Sequence, residues 1–380
     1  MRRLLMLLAA MALVVAACGD DDASGGPQAL ADACTLGETD GDLNLYNWTE
    51  YIPTGSLATD AEVTDMLAAF EEEFGVSVVL TEYDSNETML AQIEAGVGYD
   101  VVVPSDYMVS IMKGADLLIK FNPDTVPNLS NIAAEFTALP YDPGNQYSAP
   151  YQWGTTGIGY KYGSIDDENG VSWGVIFDPE QADPNTGFIS LLDDERETMG
   201  AALIYLGYSI NTLDEAQVDE AADLISATRA RLAAFSSVGY ADLLTSGEFV
   251  VSQGWNGDFL FAYDTASTDD YDAYEDFGYA IPVEGAAAWV DTIAIPSTVE
   301  HPCSAQTFIN FMLDAFIGGE LTNYNYYASP NAAAEEFIYP EILEDPSIYP
   351  PPDVLERLEF FEDLGDFGTY YADAYSAAKG

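Results

Sequence analysis

Hydrophobic and polar positions along the first part of the chain predict alternating strands and helices. Apolar–polar alternation marks strands, whereas apolar positions three and four residues apart mark the buried face of a helix. On this basis residues 43–47, 76–83 and 99–103 are predicted strands, and residues 62–74 and 86–95 are predicted helices. Strand–helix–strand order at this spacing predicts a parallel sheet covered by helices.

A second series of the same kind begins near Tyr151. Its predicted strands are residues 154–160, 188–192, 249–255 and 289–296, and its predicted helices are residues 197–206, 215–234 and 304–313. The acidic stretch 264–276 has little pattern and is predicted to be a surface insertion. The tail is predicted to be helical, interrupted at Pro346 and at Pro350–Pro352. No repeat of fixed period is present.

The N-terminus has the features of an export signal. Arg2 and Arg3 precede an apolar run, Leu4–Ala17, which is too short for a comfortable transmembrane helix. The residues before Cys18 resemble the lipobox of bacterial lipoproteins, in which the cysteine is lipidated. An ordinary signal peptide is the alternative. We therefore predict a signal peptide over residues 1–17, a lipidated Cys18 and a flexible tether over residues 18–41, with the membrane contacted only through the anchor.

Charge then narrows the range of partners. The 380 residues contain 65 Asp and Glu against 10 Lys and Arg, a formal net charge of −55, yet 48% of them are hydrophobic. The hydrophobic content excludes a disordered acidic polymer. The scarcity of Lys and Arg leaves no basic surface that could bind nucleic acid. The excess of acidic residues has two possible explanations. One is adaptation to a saline solvent, and the other is an electrostatic field that attracts cationic ligands. We favour the solvent because the excess extends over the whole chain.

Two cysteines remain after Cys18. Cys34 and Cys303 form an even pair in an exported protein, which suggests a disulfide. Two unpaired thiols are the alternative. A bridge would join the start of the folded region to a distant segment and would imply a discontinuous domain.

Motifs of enzymes and metal sites carry little weight. Gly170–Gly174 matches the G-x-S-x-G nucleophile pattern, but acidic loop residues precede it and His301 is the only histidine. Ser172 is better explained as an N-cap for the helix that follows. With one histidine and no cysteine pair at ligand spacing, no metal site is predicted, and no cofactor motif occurs.

Aromatic and acidic residues recur where the predicted strands end. Ligands of open α/β sheets bind at strand ends, so these side chains are expected to face a cleft. Carboxylates hold protonated amines through charge-assisted hydrogen bonds, and aromatic faces accept cations and methylene groups. The alternative is that the rings are core or rim residues and the acids are helix caps. Recurrence at several strand ends favours recognition of an organic cation.

These segments resemble the spermidine/putrescine-binding proteins of polyamine ABC importers, within the bacterial extracellular solute-binding proteins. The resemblance extends in order from about Leu43 through YNWTEY (46–51), YDSNETM (83–89), YDVVVPS (99–105), DDERE (193–197), WNG (255–257) and WVDTIAIP (289–296). It implies an α/β protein with a two-lobed, type II periplasmic-binding-protein-like fold. Each lobe would be a mixed, mostly parallel sheet flanked by helices, with the ligand cleft between the lobes.

The resemblance also implies how the chain divides. Residues 42–150 and 289–325 would form the first lobe, and residues 151–288 and the C-terminal helices of residues 326–380 the second. Cys34 and Cys303 would then share the first lobe, which favours their disulfide.

Carried over by position, the resemblance implies a set of ligand-binding residues. The first-lobe wall would comprise Trp48, Thr49, Tyr51, Ser105 and Tyr107, and the remaining contacts would come from Asp194, Glu197, Trp255, Trp289, Asp291 and Tyr327. Asp194 and Glu197 would meet amino groups from the second lobe, Trp255 would cover the aliphatic chain, and Asp291 would hold another amine. Phe361 stands where the family has a glutamine, which bears on the choice of polyamine.

The sequence therefore predicts an exported, monomeric solute-binding lipoprotein on the extracytoplasmic face of the cell membrane. It would capture spermidine or putrescine, without a cofactor, and deliver it to an ABC permease. A second hypothesis keeps the fold but exchanges the ligand for a betaine or an amino acid. A third, an exported hydrolase using Ser172 or a carboxylate pair, has the least support.

Overall fold

The computed structural model describes residues 26–60, 62–166 and 168–380. In this part of the chain the strands are β1 (Leu43–Trp48), β2 (Val78–Tyr83), β3 (Val101–Val102), β4 (Ser148–Lys161), β5 (Ile189–Leu191), β6 (Leu232–Phe235), β7 (Val251–Trp255), β8 (Phe277–Ala280), β9 (Ala286–Ala294) and β10 (Leu358–Phe360).

The same residues form helices of very different length. They are α1 (Pro27–Ala33), α2 (Gly55–Asp60), α3 (Met66–Phe74), α4 (Asn86–Glu94), α5 (Asp106–Gly114), α6 (Gly174–Phe177), α7 (Pro179–Ala182), α8 (Glu195–Leu206), α9 (Glu215–Thr228), α10 (Tyr240–Thr245), α11 (Asn256–Ala266), α12 (Pro302–Met312), α13 (Ala315–Asn325), α14 (Pro340–Leu343), α15 (Pro352–Leu355) and α16 (Gly368–Lys379).

The strands follow one continuous order, β2-β1-β3-β9-β4-β7-β5-β6, with β10 paired to β9 and β8 paired to β4. At one end β2, β1 and β3 are parallel, and at the other end β7, β5 and β6 are parallel. The chain is thus a mixed α/β protein of two lobes, and the predicted fold class is confirmed. We call the lobe around β1–β3 lobe 1 and the lobe around β5–β8 lobe 2.

Two long antiparallel strands join the lobes. The first half of β4, Ser148–Thr155, pairs with β9, and its second half, Thr156–Tyr160, pairs with β7. The predicted lobe boundary at 150/151 therefore falls inside β4. A register shift between Pro150 and Gln152 explains how a proline fits within this strand, since a bulge tolerates the missing N–H donor.

Apolar clusters support both lobes, and one of them extends across the two. In lobe 1, Phe70 of α3 packs edge-on against Phe308 of α12, with ring centroids 5.1 Å apart. A second cluster extends from Met89 and Met108 of lobe 1 to residues of α8, α9 and α16 in lobe 2, and another surrounds the fully buried Tyr263 of α11 in lobe 2. Helix ends follow the sequence: Asp65 caps α3 by accepting from the Ala68 N–H, and Gly75 ends it in the left-handed conformation.

Two predicted helical segments differ from the structure. The predicted helix 215–234 ends at Thr228, and Leu232–Phe235 form β6, which pairs in parallel with β5. The predicted helical tail contains β10, which pairs in parallel with β9. In both places a neighbouring strand supplies backbone hydrogen bonds, and this tertiary pairing overrides the local pattern. The insertion 264–276 is folded back onto α11, where the Tyr274 hydroxyl donates to the Leu260 carbonyl.

The segment before β1 also differs from its prediction. Within the predicted tether 18–41, residues 27–33 form α1, whose Gln28 is hydrogen-bonded to the backbone of Lys120. A disulfide joins Cys34 to Cys303 at the start of α12, with the two Cα atoms 5.4 Å apart. The tether prediction is therefore wrong for this stretch, because a helix, a covalent bond and several hydrogen bonds fix it to lobe 1.

The remaining N-terminal predictions fall outside the described residues. These are the signal peptide of residues 1–17, lipidation of Cys18 and the first part of the tether. Among the residues that the structure describes, no helix combines the length and apolarity required to cross a membrane.

A ligand cleft between the lobes

A cleft of about 1200 Å³, including its part open to solvent, lies where strands of both lobes end. All eleven predicted ligand-binding residues line it. Trp48 ends β1, Trp255 ends β7, and Ser105 stands between β3 and α5. The structure thus brings together in one place residues that are scattered from position 48 to position 327.

Aromatic rings form the walls of the cleft. Trp48 of lobe 1 and Trp255 of lobe 2 approach edge-on, with ring centroids 6.3 Å apart. The Trp48 indole donates to the Val103 carbonyl, and the Trp255 indole donates to Glu197, so both rings are fixed in orientation. Trp289 meets Tyr327 edge-on at 5.1 Å. Such faces can hold a methylene chain or an ammonium group.

Two glycines make this packing possible. A Cβ atom on Gly154 would lie 2.5 Å from the Asn256 side chain and 2.7 Å from the Trp289 ring. A Cβ atom on Gly257 would lie 2.6 Å from the Tyr327 ring. Any larger residue at either position would therefore displace a cleft wall.

Strained backbone positions two of the cleft tyrosines. Glu50 and Tyr326 have positive φ angles of 56° and 58°, and they immediately precede Tyr51 and Tyr327. The Asn325 side chain donates to the Tyr51 carbonyl and accepts from the Tyr327 N–H, which ties the two loops together. Left-handed non-glycine residues cost about 1–3 kcal/mol each, so this local geometry is maintained by its surroundings.

One pole of the cleft, the Asp291 end, is a carboxylate bonded to neutral hydroxyls. Asp291 is only 5% exposed, and its two oxygens accept from the Ser105 hydroxyl at 2.6 Å and the Tyr51 hydroxyl at 2.8 Å. Asn86 fixes Ser105 through bonds to both its backbone N–H and its hydroxyl. Burial raises the pKa of Asp291 to about 7, and the two hydroxyl donors act in the opposite direction.

The other pole, the Asp194 end, lies at the start of a helix. Asp194 caps α8 by accepting from the N–H groups of Arg196 and Glu197, at 2.9 and 3.0 Å. Glu197 accepts from the Trp255 indole at 3.0 Å. Burial raises the pKa of both carboxyls, and the charge of Asp194 raises that of Glu197 further. Two carboxylates this close give the end a strong affinity for a positive charge.

An arginine and a phenylalanine close the cleft at the Asp194 end. Arg196 is 5% exposed, and its guanidinium lies 4.9 Å from the Phe361 ring and 5.4 Å from the Tyr107 ring. It donates to the Glu362 carbonyl and to the Asn211 side chain. Phe361 therefore presents an apolar wall where the resemblance implied a glutamine.

The predicted ligand-binding set lacks four carboxylates that line the cleft, Glu50, Asp84, Asp242 and Asp258, of which Asp258 is bonded to two cleft tyrosines. Asp258 of α11 accepts from the Tyr327 hydroxyl at 2.5 Å and from the Tyr240 hydroxyl at 2.8 Å. Burial raises its pKa. The signal was available in the sequence, because Asp258 follows the WNG run and stands three residues after Trp255 on a helix.

The nucleophile motif is not assembled into a triad. Ser172 donates to Glu284 and accepts from the Gly174 N–H, but the N-cap position of α6 is occupied by Trp173, so the predicted N-cap is wrong by one residue. His301 instead contacts Asp100 at 3.4 Å in lobe 1. Among the described residues, no cluster of His, Cys, Asp and Glu is arranged to hold a metal ion.

Comparison with known proteins agrees with this geometry. The family model of bacterial extracellular solute-binding proteins matches residues 65–346. The spermidine/putrescine-binding periplasmic protein of Salmonella typhimurium is 33% identical over 339 residues, covering 89% of this chain and 91% of the relative. A putrescine/cadaverine-binding protein of Pseudomonas aeruginosa is 36% identical over 326 residues, covering 85% and 88% of the two chains.

Solved structures agree as well. The PotD lipoprotein of Treponema pallidum superposes with a TM-score of 0.73 at 32% identity, over 89% of this chain and 99% of that one. The match covers both lobes and the strands that join them. On the evidence of its fold, its cleft and these relatives, the chain belongs to the bacterial extracellular solute-binding protein family.

Proposed function

We propose that this protein is an extracytoplasmic receptor that captures a polyamine and delivers it to an ABC permease. The observation that carries the proposal is the combination of groups that line one cleft. Asp291 is bonded to the Ser105 and Tyr51 hydroxyls, Asp194 and Glu197 stand at the start of α8, and Trp48, Trp255 and Asp258 line the same cleft. This arrangement is complementary to a ligand with ammonium groups at its ends and methylene groups between them.

The charge balance of the cleft favours a cation over a zwitterion. A betaine or an amino acid carries a carboxylate, which needs a positive partner in the protein. Of the residues described as lining the cleft, only Arg196 is a permanent cation, and its guanidinium nitrogens Nη1 and Nη2 already donate to Glu362 and Asn211. A zwitterion would therefore bring its negative charge to a site that is dominated by carboxylates.

Spermidine and putrescine are both candidates for the ligand. Relatives of comparable identity carry either name, spermidine/putrescine-binding or putrescine/cadaverine-binding. Phe361 offers no hydrogen-bond acceptor at the Asp194 end. An amine that reaches this end would depend on Asp194 and Glu197, which favours a diamine that spans the two poles.

Isothermal titration calorimetry of the purified protein tests the proposal. Putrescine, cadaverine, spermidine and spermine would be compared with glycine betaine and glutamate at one pH and salt concentration. We expect tight one-to-one binding of at least one polyamine and no heat from the zwitterions. Absence of heat with every polyamine, from protein that native mass spectrometry shows to be free of ligand, would falsify the proposal.

We also propose that the chain is anchored outside the cell through Cys18 and acts as a monomer. Support comes from the basic and apolar residues before Cys18 and from the relative in Treponema pallidum, which is itself a lipoprotein. Metabolic labelling with a clickable fatty acid should mark the wild-type protein and fail to mark a Cys18→Ala variant. Light scattering of the Cys18→Ala protein should give the mass of one chain.

A further inference from the structure

Acidic side chains of the two lobes face each other on the rim of the cleft. On one side, the start of α4 in lobe 1 faces the start of α8 in lobe 2, because Asp84 and Thr88 line a small surface cleft together with Asp193. Burial raises the pKa of Asp194 and Glu195 there, and the charge of Glu87 in α4 raises both further. Glu87 is exposed and accepts a hydrogen bond from Tyr107, which lines the cleft.

The same arrangement occurs at a second place on the rim. Glu50, in the loop after β1 of lobe 1, lines the same cleft as Asp242 of α10 in lobe 2. Burial raises the pKa of Glu50, and the charge of Asp242 raises it further. Both side chains line the cleft and both residues are exposed. Glu82 of lobe 1 adds to this cluster by accepting from the Glu50 N–H.

Basic side chains are scarce within the described part of the cleft lining. Arg196 is the one permanent cation there, and it is buried against Phe361 and Tyr107. Its charge opposes the effect of burial on the pKa of Asp194 and Glu195, so it offsets part of the charge of that cluster, whereas the charges that act on Glu50 are those of Asp242 and Glu82. Lys379 is the nearby exception on lobe 2, where it pairs with Asp193. The rim therefore carries like charge on both lobes.

Contacts that draw the lobes together are of a different kind. They include the edge-on approach of Trp48 to Trp255 and the packing of Arg196 of lobe 2 on the Tyr107 ring of lobe 1. Both are short-ranged, whereas repulsion between carboxylates extends over about a Debye length, roughly 10 Å at 0.1 M salt. As the lobes approach each other, the repulsion between the rim carboxylates therefore acts before these attractive contacts form.

We propose that the carboxylates facing each other across the rim hold the lobes apart in the ligand-free protein, and that a bound cation serves as the counter-ion that permits closure. A ligand shifts a two-state equilibrium only through its differential affinity for the two states. A cation between two acidic faces has that preference for the closed state because it interacts with both faces at once. The inference rests on the proposed function only in naming the cation.

The consequence for recognition is a requirement for charge in addition to shape. A neutral molecule with the outline of a diamine could fit between Trp48 and Trp255 but would leave the rim charges unopposed. It would therefore occupy the cleft without closing it.

Small-angle X-ray scattering of the protein without polyamine tests the inference. The radius of gyration would be measured from about 0.01 M to about 1 M NaCl, over which the Debye length falls from about 30 Å to about 3 Å. The test variant is Glu87→Gln combined with Asp242→Asn. Its matched control is Glu94→Gln combined with Glu248→Gln, because these exposed acids belong to the same segments but lie at the other ends, Glu94 at the end of α4 and Glu248 after α10.

We expect the wild type and the control to become smaller as salt rises, and the test variant to be small at every salt concentration. The amide that replaces the Glu87 carboxylate can still accept from Tyr107, so the local hydrogen bond is retained. Identical, salt-independent radii for all three proteins would overturn the inference. A salt response of the test variant equal to that of the wild type would overturn it as well, since the rim acids would then not be the cause. Because no polyamine is present, either result leaves the calorimetric test of the proposed function independent.

Discussion

Both ends of the cleft present carboxylates to the ligand, but the segments that supply them are arranged differently. The Asp291 end assembles one carboxylate and two hydroxyls from three distant segments, with Ser105 and Tyr51 as donors. The Asp194 end is built almost entirely within one five-residue run at the start of α8 and includes its own cation, Arg196. The first end therefore depends on correct packing of lobe 1, whereas the second depends on local helix geometry.

This difference predicts that the Asp291 end contributes more to ligand affinity. Asp291 accepts only from neutral groups, so an ammonium ion would be its sole charged partner among the contacts described for it. At the other end, Arg196 already offsets part of the negative charge of Asp194 and Glu197. The following experiments test that ranking.

The largest effect is expected from Asp291→Asn. Removing one partner of a buried charge pair costs about 2–5 kcal/mol, or roughly thirtyfold to several thousandfold in affinity. Calorimetry with the tightest-binding polyamine measures the loss. Asp124→Asn is the control, because Asp124 is an exposed acid in lobe 1 that does not line the cleft. Equal affinity of Asp291→Asn and wild type would show that Asp291 does not contact the ligand.

A smaller loss is expected from Glu197→Gln. Asp194 remains beside it, and the amide can still accept from the Trp255 indole. The lost charge-assisted hydrogen bond is worth about 1.5–3 kcal/mol, or roughly tenfold to a hundredfold in affinity. Calorimetry under the same conditions provides the comparison. A loss greater than that of Asp291→Asn would reverse the ranking of the two ends.

Lowering the pH should weaken binding at the Asp291 end. Its pKa of about 7 in the ligand-free protein means that the ammonium ion binds to the deprotonated form, so protons are released on binding near neutral pH. Affinity should fall roughly tenfold for each pH unit below 7 from this group alone. Calorimetry in buffers of different ionisation enthalpy detects the released protons. No dependence on the buffer would contradict the raised pKa.

The raised pKa of Asp291 also determines whether the free energy of unfolding rises or falls with pH. Between the ordinary value of 3.8 and about 7, the folded ligand-free protein binds the Asp291 proton and the unfolded chain does not. The free energy of unfolding should therefore decrease as the pH rises through this interval. In Asp291→Asn, the part of the decrease that this carboxyl causes should be absent from thermal unfolding curves.

Ser105→Ala should produce a several-fold effect. It removes the hydroxyl that donates to Asp291, a bond worth about 1.5–3 kcal/mol to the charged form, and so raises the pKa of Asp291 further. Part of that loss is recovered by the ligand ammonium, and binding should improve again above pH 8. Thr198→Ser is a control for a buried hydroxyl in lobe 2 that bonds to Leu192 and Gln253 and does not line the cleft.

The smallest effect is expected at the wall of the Asp194 end. Phe361→Gln would place an amide where the ring now packs on Arg196, and it should change the ratio of spermidine to putrescine affinity a few-fold in favour of spermidine. Phe360→Gln is the matched control, since Phe360 is exposed and does not line the cleft. An unchanged ratio would mean that Phe361 has no part in ligand choice.

The two ends also differ in how far the sequence predicts them. The DDERE run displays Asp194 and Glu197 side by side, and helix periodicity alone places them on one face. Nothing local joins Tyr51, Ser105 and Asp291. Tyr51 and Ser105 follow strand ends, but Asp291 lies inside β9, and only the resemblance indicated that the three meet. Asp258 was missed because its partners, Tyr240 and Tyr327, come from segments that only the folded chain brings together.

The order of strands and helices was predictable where the hydrophobic pattern within a segment decides its conformation. The periodic segments of lobe 1 correspond to β1–β3 and to α3 and α4 within a few residues. Leu232–Phe235 and Leu358–Phe360 were missed because both are short strands added beside existing ones, where partner strands rather than their own pattern decide the conformation.

The bond between Cys34 and Cys303 has a mechanical consequence. Force applied to the chain ahead of α1 would reach α12 of lobe 1 through a covalent link before it could load β1, whose end carries the cleft wall. Lobe 1 would then be the part of the molecule that is held in place. Lobe 2 is joined to lobe 1 chiefly through β4 and β9. It would therefore be free to move over the ligand, because tension on the N-terminus would be carried by lobe 1.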